Sequence, residues 1–468
     1  MAGSFGSINT ALSGLRYNQV ALDVAGNNIA NAGTDGYVRR RVVGESVSSA
    51  QAALWSRYDG HGEGVAVGEV RRMTDPLLDS RVRREHGLLS YLSTSRTILA
   101  RVEEGVGEPG PNGVHAAMLD LRNAWQDLSL NPGGTAARQQ VLGRAETLAQ
   151  ALRSQVANVA GEEADQRIHD LNLVSEVNTA ATGLAALNHD ILVTEQNGTD
   201  AGVLRDRRDQ LALRLAELTG AVTTVEADGQ FTVTVAGTDL VRGREAGAFV
   251  LASGITPAGA ADGSPISYRV DASWGSTVLP SGSAGPGGEL GAVTEVLTTT
   301  LPSYRAGLDA VAADLAAAVN AQQAAGYDAS GAAGAPLFSY DPLVGAASLQ
   351  VAITDPALLA ASSVGGGATL DGGNADLLSR VGTYPDAYQR LVNGLGTDVA
   401  ALDRRTANQR SLSGALDDAR EQQAGVNLDE ETVNMVTAQR AYEAAARLMT
   451  TLDEVLDTLI NRTGLVGR

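Results

Sequence analysis

The 468-residue chain has no cysteine and no lysine, and aromatic residues make up only 4 % of it. Without cysteine there are no disulfides, no thiol catalysis and no thiolate metal sites. A cysteine-free chain of this length fits an exported, solvent-exposed part. All 35 basic residues are arginine, against 54 acidic ones, for a net charge of −19. That balance argues against nucleic acid or an anionic membrane as the main partner, and it keeps monomers soluble. No run of 18 apolar residues occurs, so no transmembrane helix is expected. The opening MAGSFGSINT lacks a basic and then apolar leader, so no cleaved secretory signal is expected. Few aromatics and much alanine imply thin, helical cores.

What is present is periodicity at both ends. Residues 427–461 carry Met435, Ala438, Tyr442, Ala445, Met449, Leu452, Leu456 and Leu459 at alternating steps of three and four, the seam of a coiled coil. Leu428 extends the seam by one repeat toward the N-terminus. Residues 4–31 repeat the pattern with Ile8, Ala11, Leu15, Asn18, Leu22, Ala25 and Ile29. Gly14 and Gly26 each weaken that first helix by about 1 kcal/mol relative to alanine, so it needs a partner. Matched seams at the two termini imply that the ends meet and the rest loops out between them. Periodicity leaves open whether a seam closes within a subunit or between subunits, and both are expected.

Between the ends, Tyr37, Val38, Val42, Val43 and Val47, then Leu54, Trp55 and Tyr58, a glycine turn over 59–64 and the alternating run 65–70 read as an extended hairpin. Asp75-Pro76 opens a helix to Val106, with Asp75 as cap. Helices follow over 113–130, 135–195 and 204–218, the second of them far beyond the globular mean of about twelve residues. Short strands are expected over 221–225, 231–235, 248–252, 266–270 and 277–279, with a hairpin turn at Asp228-Gly229. One helix is expected over 289–325, one strand over 348–353, a helix from Tyr384-Pro385 to Gln423, and a cap for the last helix at Asn427 or Asp429.

Chemistry-bearing motifs are weak. The histidines, His61, His86, His115, His169 and His189, have no metal-ligand spacing. Gly60-x-Gly62-x-Gly64 opens a strand, not a helix, and reads as a turn. The stretch from Gly365 to Asn374 is one partial copy of a calcium nonapeptide that works in tandem, and reads as a loop. Asn197-Gly198-Thr199 is a chance sequon, and Glu162-Glu163 reads as a solvated face. No cofactor, metal site or catalytic residue is expected, and the chain is not read as an enzyme.

Ser7 to Leu15 (SINTALSGL), Asn27-Asn28-Ile29-Ala30-Asn31 and Thr34-Asp35-Gly36-Tyr37 resemble the N-terminal signature of flagellar rod, hook and hook-associated proteins. Gly64 to Val67 with Val70-Arg71-Arg72 and Asp75 resembles the segment after it, and Gly425 to Glu431 with Gln439-Arg440-Ala441-Tyr442 the C-terminal signature. Tyr37-Val38-Arg39 and Leu204 to Leu211 (LRDRRDQL), running into Asp228-Gly229, narrow the resemblance to the hook-associated branch.

The resemblance implies a structural junction protein between hook and filament, exported by the flagellar type III route. Its partners would be further copies of itself, the hook protein, a second junction protein and a cytosolic export chaperone. Another axial member (rod, hook or second junction protein) is the alternative. The expected fold is mainly α with inserted β. A terminal coiled-coil domain takes 1–36 plus 426–468, a helical rod 37–219 plus 288–425 with the loop-rich 329–383, and a β-rich outer insert 220–287. The candidate interface is Ile8, Ala11, Leu15, Leu22, Ile29, Met435, Tyr442, Met449, Leu452, Leu456 and Leu459. The last-helix face of Met449, Leu452, Leu456 and Leu459 is where the resemblance places the chaperone.

Overall fold

A computed structural model describes residues 2–47, 64–366 and 371–458. The glycine turn with His61, the apolar residues Leu54, Trp55 and Tyr58, part of the 365–374 loop and Leu459 lie outside the described residues.

The first helix, α1, runs Ala2–Ala30, and a hairpin follows from β1 (Arg40–Ser46) and β2 (Val65–Arg72). The strands are antiparallel, pairing Arg40 with Arg72 and Ser46 with Val65, with a bulge at Val43/Gly44. Tyr37 and Val38 precede the strand instead of starting it, and Tyr37 is held by other bonds described below.

The rod is built mainly from α2 (Pro76–Val106), α3 (Val114–Leu130), α4 (Thr135–Gln196), α5 (Gly202–Thr219) and, after the β region, α9 (Tyr384–Ala424). Asp75 caps α2 as expected, its carboxylate accepting from the N–H groups of Leu77 and Leu78, with Pro76 in the first turn. The 62 residues of α4 form its spine. Ile168, one of its apolar positions, is 52 % exposed, whereas Val141, Leu148 and Leu152 are sealed. Glu162 and Glu163 are not a solvated face. Both are half-buried, Glu162 pairing with Arg101 at 3.0 Å and Glu163 with Arg167 at 3.9 Å.

The β region holds two antiparallel sheets. One has the order β3 (Val222–Val225), β4 (Phe231–Val235), β5 (Thr238–Arg242), β6 (Glu245–Ala246), and the other β7 (Ala248–Ser253), β8 (Ser267–Ala272), β9 (Gly275–Val278). Residue patterning does not reveal β5. Its hairpin turn is Ala236-Gly237, at φ 47° and 79°, and an alanine in that left-handed region carries no turn signal. The sheets do not stand apart from the rod. Phe231, Val233, Leu240, Phe249, Tyr268 and Val270 join one continuous core with α4. Two buried or half-buried asparagines of α4 stitch them on. Asn188 donates to the carbonyls of Phe231 (2.9 Å) and Gly243 (2.6 Å), and Asn178 exchanges two bonds with Phe249.

The helix expected over 289–325 runs without a stop, but a π-helical turn (Val296–Thr300) separates α6 (Gly288–Glu295) from α7 (Leu301–Ala325). Pro302 has no N–H to give Thr298 and its ring crowds that turn, so the ladder widens ahead of it. The expected strand over 348–353 shrinks to β11 (Gln350–Val351), paired with β10 (Phe338–Ser339). The short α8 (Gly373–Leu378) precedes α9. The last helix, α10 (Leu428–Asp457), is capped by Asn427, which accepts from the N–H groups of Asp429 and Glu430.

Candidate functional site: the terminal helix pair and its clasp

The two terminal helices pack on each other. Two contacts fix the register. A Cβ on Gly14 would lie 3.7 Å from that of Ala445, and Asn28 hydrogen-bonds Glu431. Fourteen residues separate the two contacts on both helices and the order is reversed, so the pair is antiparallel. The seam is thin, as its alanines imply. Ala11 (2 %), Ala25 (3 %) and Ala438 (7 %) are buried. Ile8, Leu15, Leu22, Ile29, Met435, Met449, Leu452 and Leu456 are only half-buried, and Tyr442 is 38 % exposed. Elsewhere on α10, Val433, Leu448 and Val455 are exposed. Two helices of this kind cannot close their own core.

At the base of the pair sits a polar clasp that ties it to the rod. Asn28 is fully buried. Its amide donates to the carbonyl of Arg40 (2.9 Å) and to Glu431 Oε2 (2.9 Å). Its Oδ1 accepts from the Tyr37 hydroxyl (2.9 Å) and the Arg40 N–H (3.1 Å). Both donors and both lone pairs are thus used. Glu431, 3 % exposed, also accepts from Arg39 Nε at 2.8 Å, and Arg39 reaches Glu430 at 2.8 Å. The Arg39 N–H donates to the Ala424 carbonyl, so the strand entering the rod and the helix leaving it are bonded.

The clasp continues into α5. Arg40 lies over the Tyr37 ring at 5.3 Å and pairs with Asp206 (3.2 Å) and Asp200 (3.5 Å). Arg72 pairs with Asp206 (2.9 Å through Nε) and Asp209 (2.6 Å). Burial pushes the Asp206 carboxyl up, against Arg72 and Arg40, which pull it down. Burial works to lower Arg72, but Asp209 and Asp206 together hold it above the ordinary range. Gln210 donates to the Asp35 carbonyl at 2.7 Å. Gly36, at φ +72°, passes so close to Gln210 that any Cβ there overlaps it.

The signature residues therefore divide by role. Asn28, Gly36 and Tyr37 build the clasp. Asn31 turns back on Asn27 at 2.9 Å and finishes α1. Gln439 and Arg440 face outward and Ala441 is half-buried. The resemblance picks out the signature but not Glu431, Arg39, Arg40, Arg72, Asp206 and Asp209 as one network. A signal was available: LRDRRDQL puts Asp206, Asp209 and Gln210 on one helical face at steps of three and four.

The described residues contain no group of three or more His, Asp or Glu placed to hold a metal. His86 instead bridges Asp417 (3.0 Å) and Glu217 (3.6 Å), and these carboxylates, Glu217 foremost, raise its pKa. His169 pairs with Glu289 at 3.1 Å. Asp371 accepts from Ser362 and Ser363 and so closes its own loop. No helix among the described residues is long and apolar enough to cross a membrane.

Comparisons with known proteins agree with this arrangement. The model of the flagellar hook-associated protein FlgK helical domain matches residues 99–338. Models of the flagella basal body rod protein and of the flagellar basal body rod FlgEFG protein C-terminal match 8–37 and 420–462, the two arms of the pair. The chain is 27 % identical to flagellar hook-associated protein 1 of Bacillus subtilis over the full length of both. It is 25 % identical to the Escherichia coli protein of that name over 97 % of this chain and 99 % of the other. The structure of the flagellar hook junction protein FlgK from Burkholderia pseudomallei superposes with a TM-score of 0.63 at 17 % identity, covering 73 % of this chain and 99 % of that one. The chain belongs to the FlgK family of flagellar hook-associated proteins, structural and not catalytic components of the bacterial flagellum.

Proposed function

We propose that the chain joins hook to filament as a ring of identical subunits. In this reading residues 1–36 and 426–468 form an inner helical layer, residues 37–219 and 288–425 a rod outside it, and 220–287 a β insert packed on the rod. Hook protein and a second junction protein would cap its two ends. The half-open seam carries the reading. Apolar residues left exposed on α10 and half-covered on both helices need more cover than one chain supplies. Neighbouring subunits would supply it.

Before assembly the same face needs protection. A cytosolic export chaperone on Met449, Leu452 and Leu456, with Leu459 beyond the described residues, would give it, and release would then be coupled to export through the type III channel. A carboxylate placed on that face must be desolvated against an apolar partner. Leu452→Asp and Leu456→Asp are therefore expected to weaken chaperone binding and to abolish swimming, while Glu443→Ala on the outer face leaves both intact. Titration calorimetry with the chaperone and a soft-agar motility assay check the two halves. Normal binding together with normal swimming in Leu452→Asp would reduce the seam to plain internal core.

A further inference from the structure

A cleft of about 810 Å³ opens between α2, the start of β3 and the loop leading to α6. It lies within the range of about 300–1,000 Å³ typical of ligand sites. Its floor is bare main chain, because glycines let three segments touch. A Cβ on Gly87 would stand 2.7 Å from the Ala216 carbonyl oxygen, and one on Gly220 (φ +67°) 3.0 Å from Gly287 Cα. Leu88 (46 % exposed) and Val222 (58 % exposed) give it apolar walls, and Tyr91 and Glu295 line it too.

One charged side chain in the cleft has no protein partner. Arg83 is 8 % exposed and lines the cavity, yet it has no hydrogen bond and no ion pair among the described residues. Its guanidinium stands 5.9 Å from the centre of the Phe231 ring. Burial lowers its pKa, against the charges of Asp209 and Asp79, which raise it. The neighbouring Arg84 is already paired with Glu85 at 2.9 Å. None of the Arg83 nitrogens is among the buried atoms left without a partner, so the guanidinium opens to solvent in the cleft and is free to take an acceptor there. The N-terminus of α6 adds to this. Gly287 offers no side-chain cap, and among the described residues no acceptor bonds the N–H group of Gly288, which lines the cleft. Free N–H groups at a helix start favour an anion. Finally, β3 is an outer strand, bonded to β4 alone among the described strands.

From these features we propose that the cleft binds an extended acidic segment of a partner protein, with a carboxylate on Arg83 and aliphatic side chains on Leu88 and Val222. Charge and shape favour a peptide over a bare anion: the unpaired cation and the helix start at Gly288 lie beside apolar walls and an outer strand, while Glu295 repels a second negative charge. Nothing here depends on the terminal seam.

The test uses the full chain and a fluorescein-labelled five-residue peptide with one central aspartate between valines, followed by anisotropy. Saturable binding is expected. The asparagine version should bind roughly tenfold more weakly or worse, the loss of one charge-assisted hydrogen bond. Arg83→Gln should erase the difference between the two peptides, and Val222→Asp, at an exposed position, should weaken the aspartate peptide by repulsion. If Arg83→Gln fails to fold by circular dichroism, the Val222→Asp result decides. No saturation at millimolar peptide, equal affinity for both peptides, or an unaltered preference in Arg83→Gln overturns the proposal. So does inorganic phosphate binding as tightly as the peptide, which would mark a plain anion site.

Discussion

Asn28→Ala is expected to release the terminal helix pair from the rod at a loss of about 3 kcal/mol, because several buried polar groups lose their partner at once. The Tyr37 hydroxyl, the Arg40 N–H and carbonyl and one oxygen of Glu431 all bond to this side chain. The side chain is fully buried, so bulk water does not stand ready to take its place. Asn28→Asp should be worse than alanine, since it sets a second carboxylate against Glu431, 2.9 Å away in the native pair. The effect should be local: trypsin should cut faster in α1 and α10, while the rod keeps its urea midpoint. Resistance equal to the wild type in both variants would mean that the clasp is incidental.

The second large effect concerns Asp170, midway along α4. It is fully buried; Tyr268 donates to its Oδ1 at 2.5 Å, and its Oδ2 has no partner among the described residues. Burial pushes its pKa to about 6, against the Tyr268 bond, which lowers it. The folded-state value is thus above the unfolded one, near 3.8. The protonated acid is the form the fold prefers. Its stabilising contribution is complete below the unfolded value and is lost as pH rises through about 6. A gap of that width between the folded and unfolded carboxyl corresponds to roughly 3 kcal/mol. Wild type minus Asp170→Asn should therefore favour wild type by about 2 kcal/mol more at pH 4 than at pH 7, since at pH 4 the unfolded carboxyl is already mostly ionised. Urea titrations of both proteins at the two pH values check this, and a difference that does not change with pH contradicts it. Tyr268 and Thr294, which bond each other at 2.8 Å, mark where the β7–β8–β9 sheet meets α6, so this titration reports on the sheet's attachment.

Much of the fold could be read from residue spacing. The three-four steps of Ile8 to Ile29 and Met435 to Leu456 lie on the two helices that meet, because a helix pair has few ways to bury a stripe. Asp75-Pro76 and Asn427 mark helix starts through local bonds that sequence encodes directly. Long-range effects were harder to see. Pro302 was visible, but not that it would widen the ladder instead of ending the helix. Ala236 carries no turn signal, and the sheets' attachment depends on Asn178 and Asn188, single polar residues within an apolar stripe. The clasp joins Asn28, Arg72, Asp206 and Glu431 across four separate segments. Each is an ordinary polar residue alone, and only the fold shows that they complete one another's hydrogen bonds.

If the paired termini of this chain hold filament to hook, cells without the chain should lose their filaments. The most direct measurement is to delete its gene in the source bacterium, then compare cell-attached flagella and culture medium by electron microscopy and immunoblot for filament protein. Hooks of normal form without filaments are expected, with filament protein shed into the medium and attachment restored by the wild-type chain. Filaments that remain attached in the deletion strain would contradict this role.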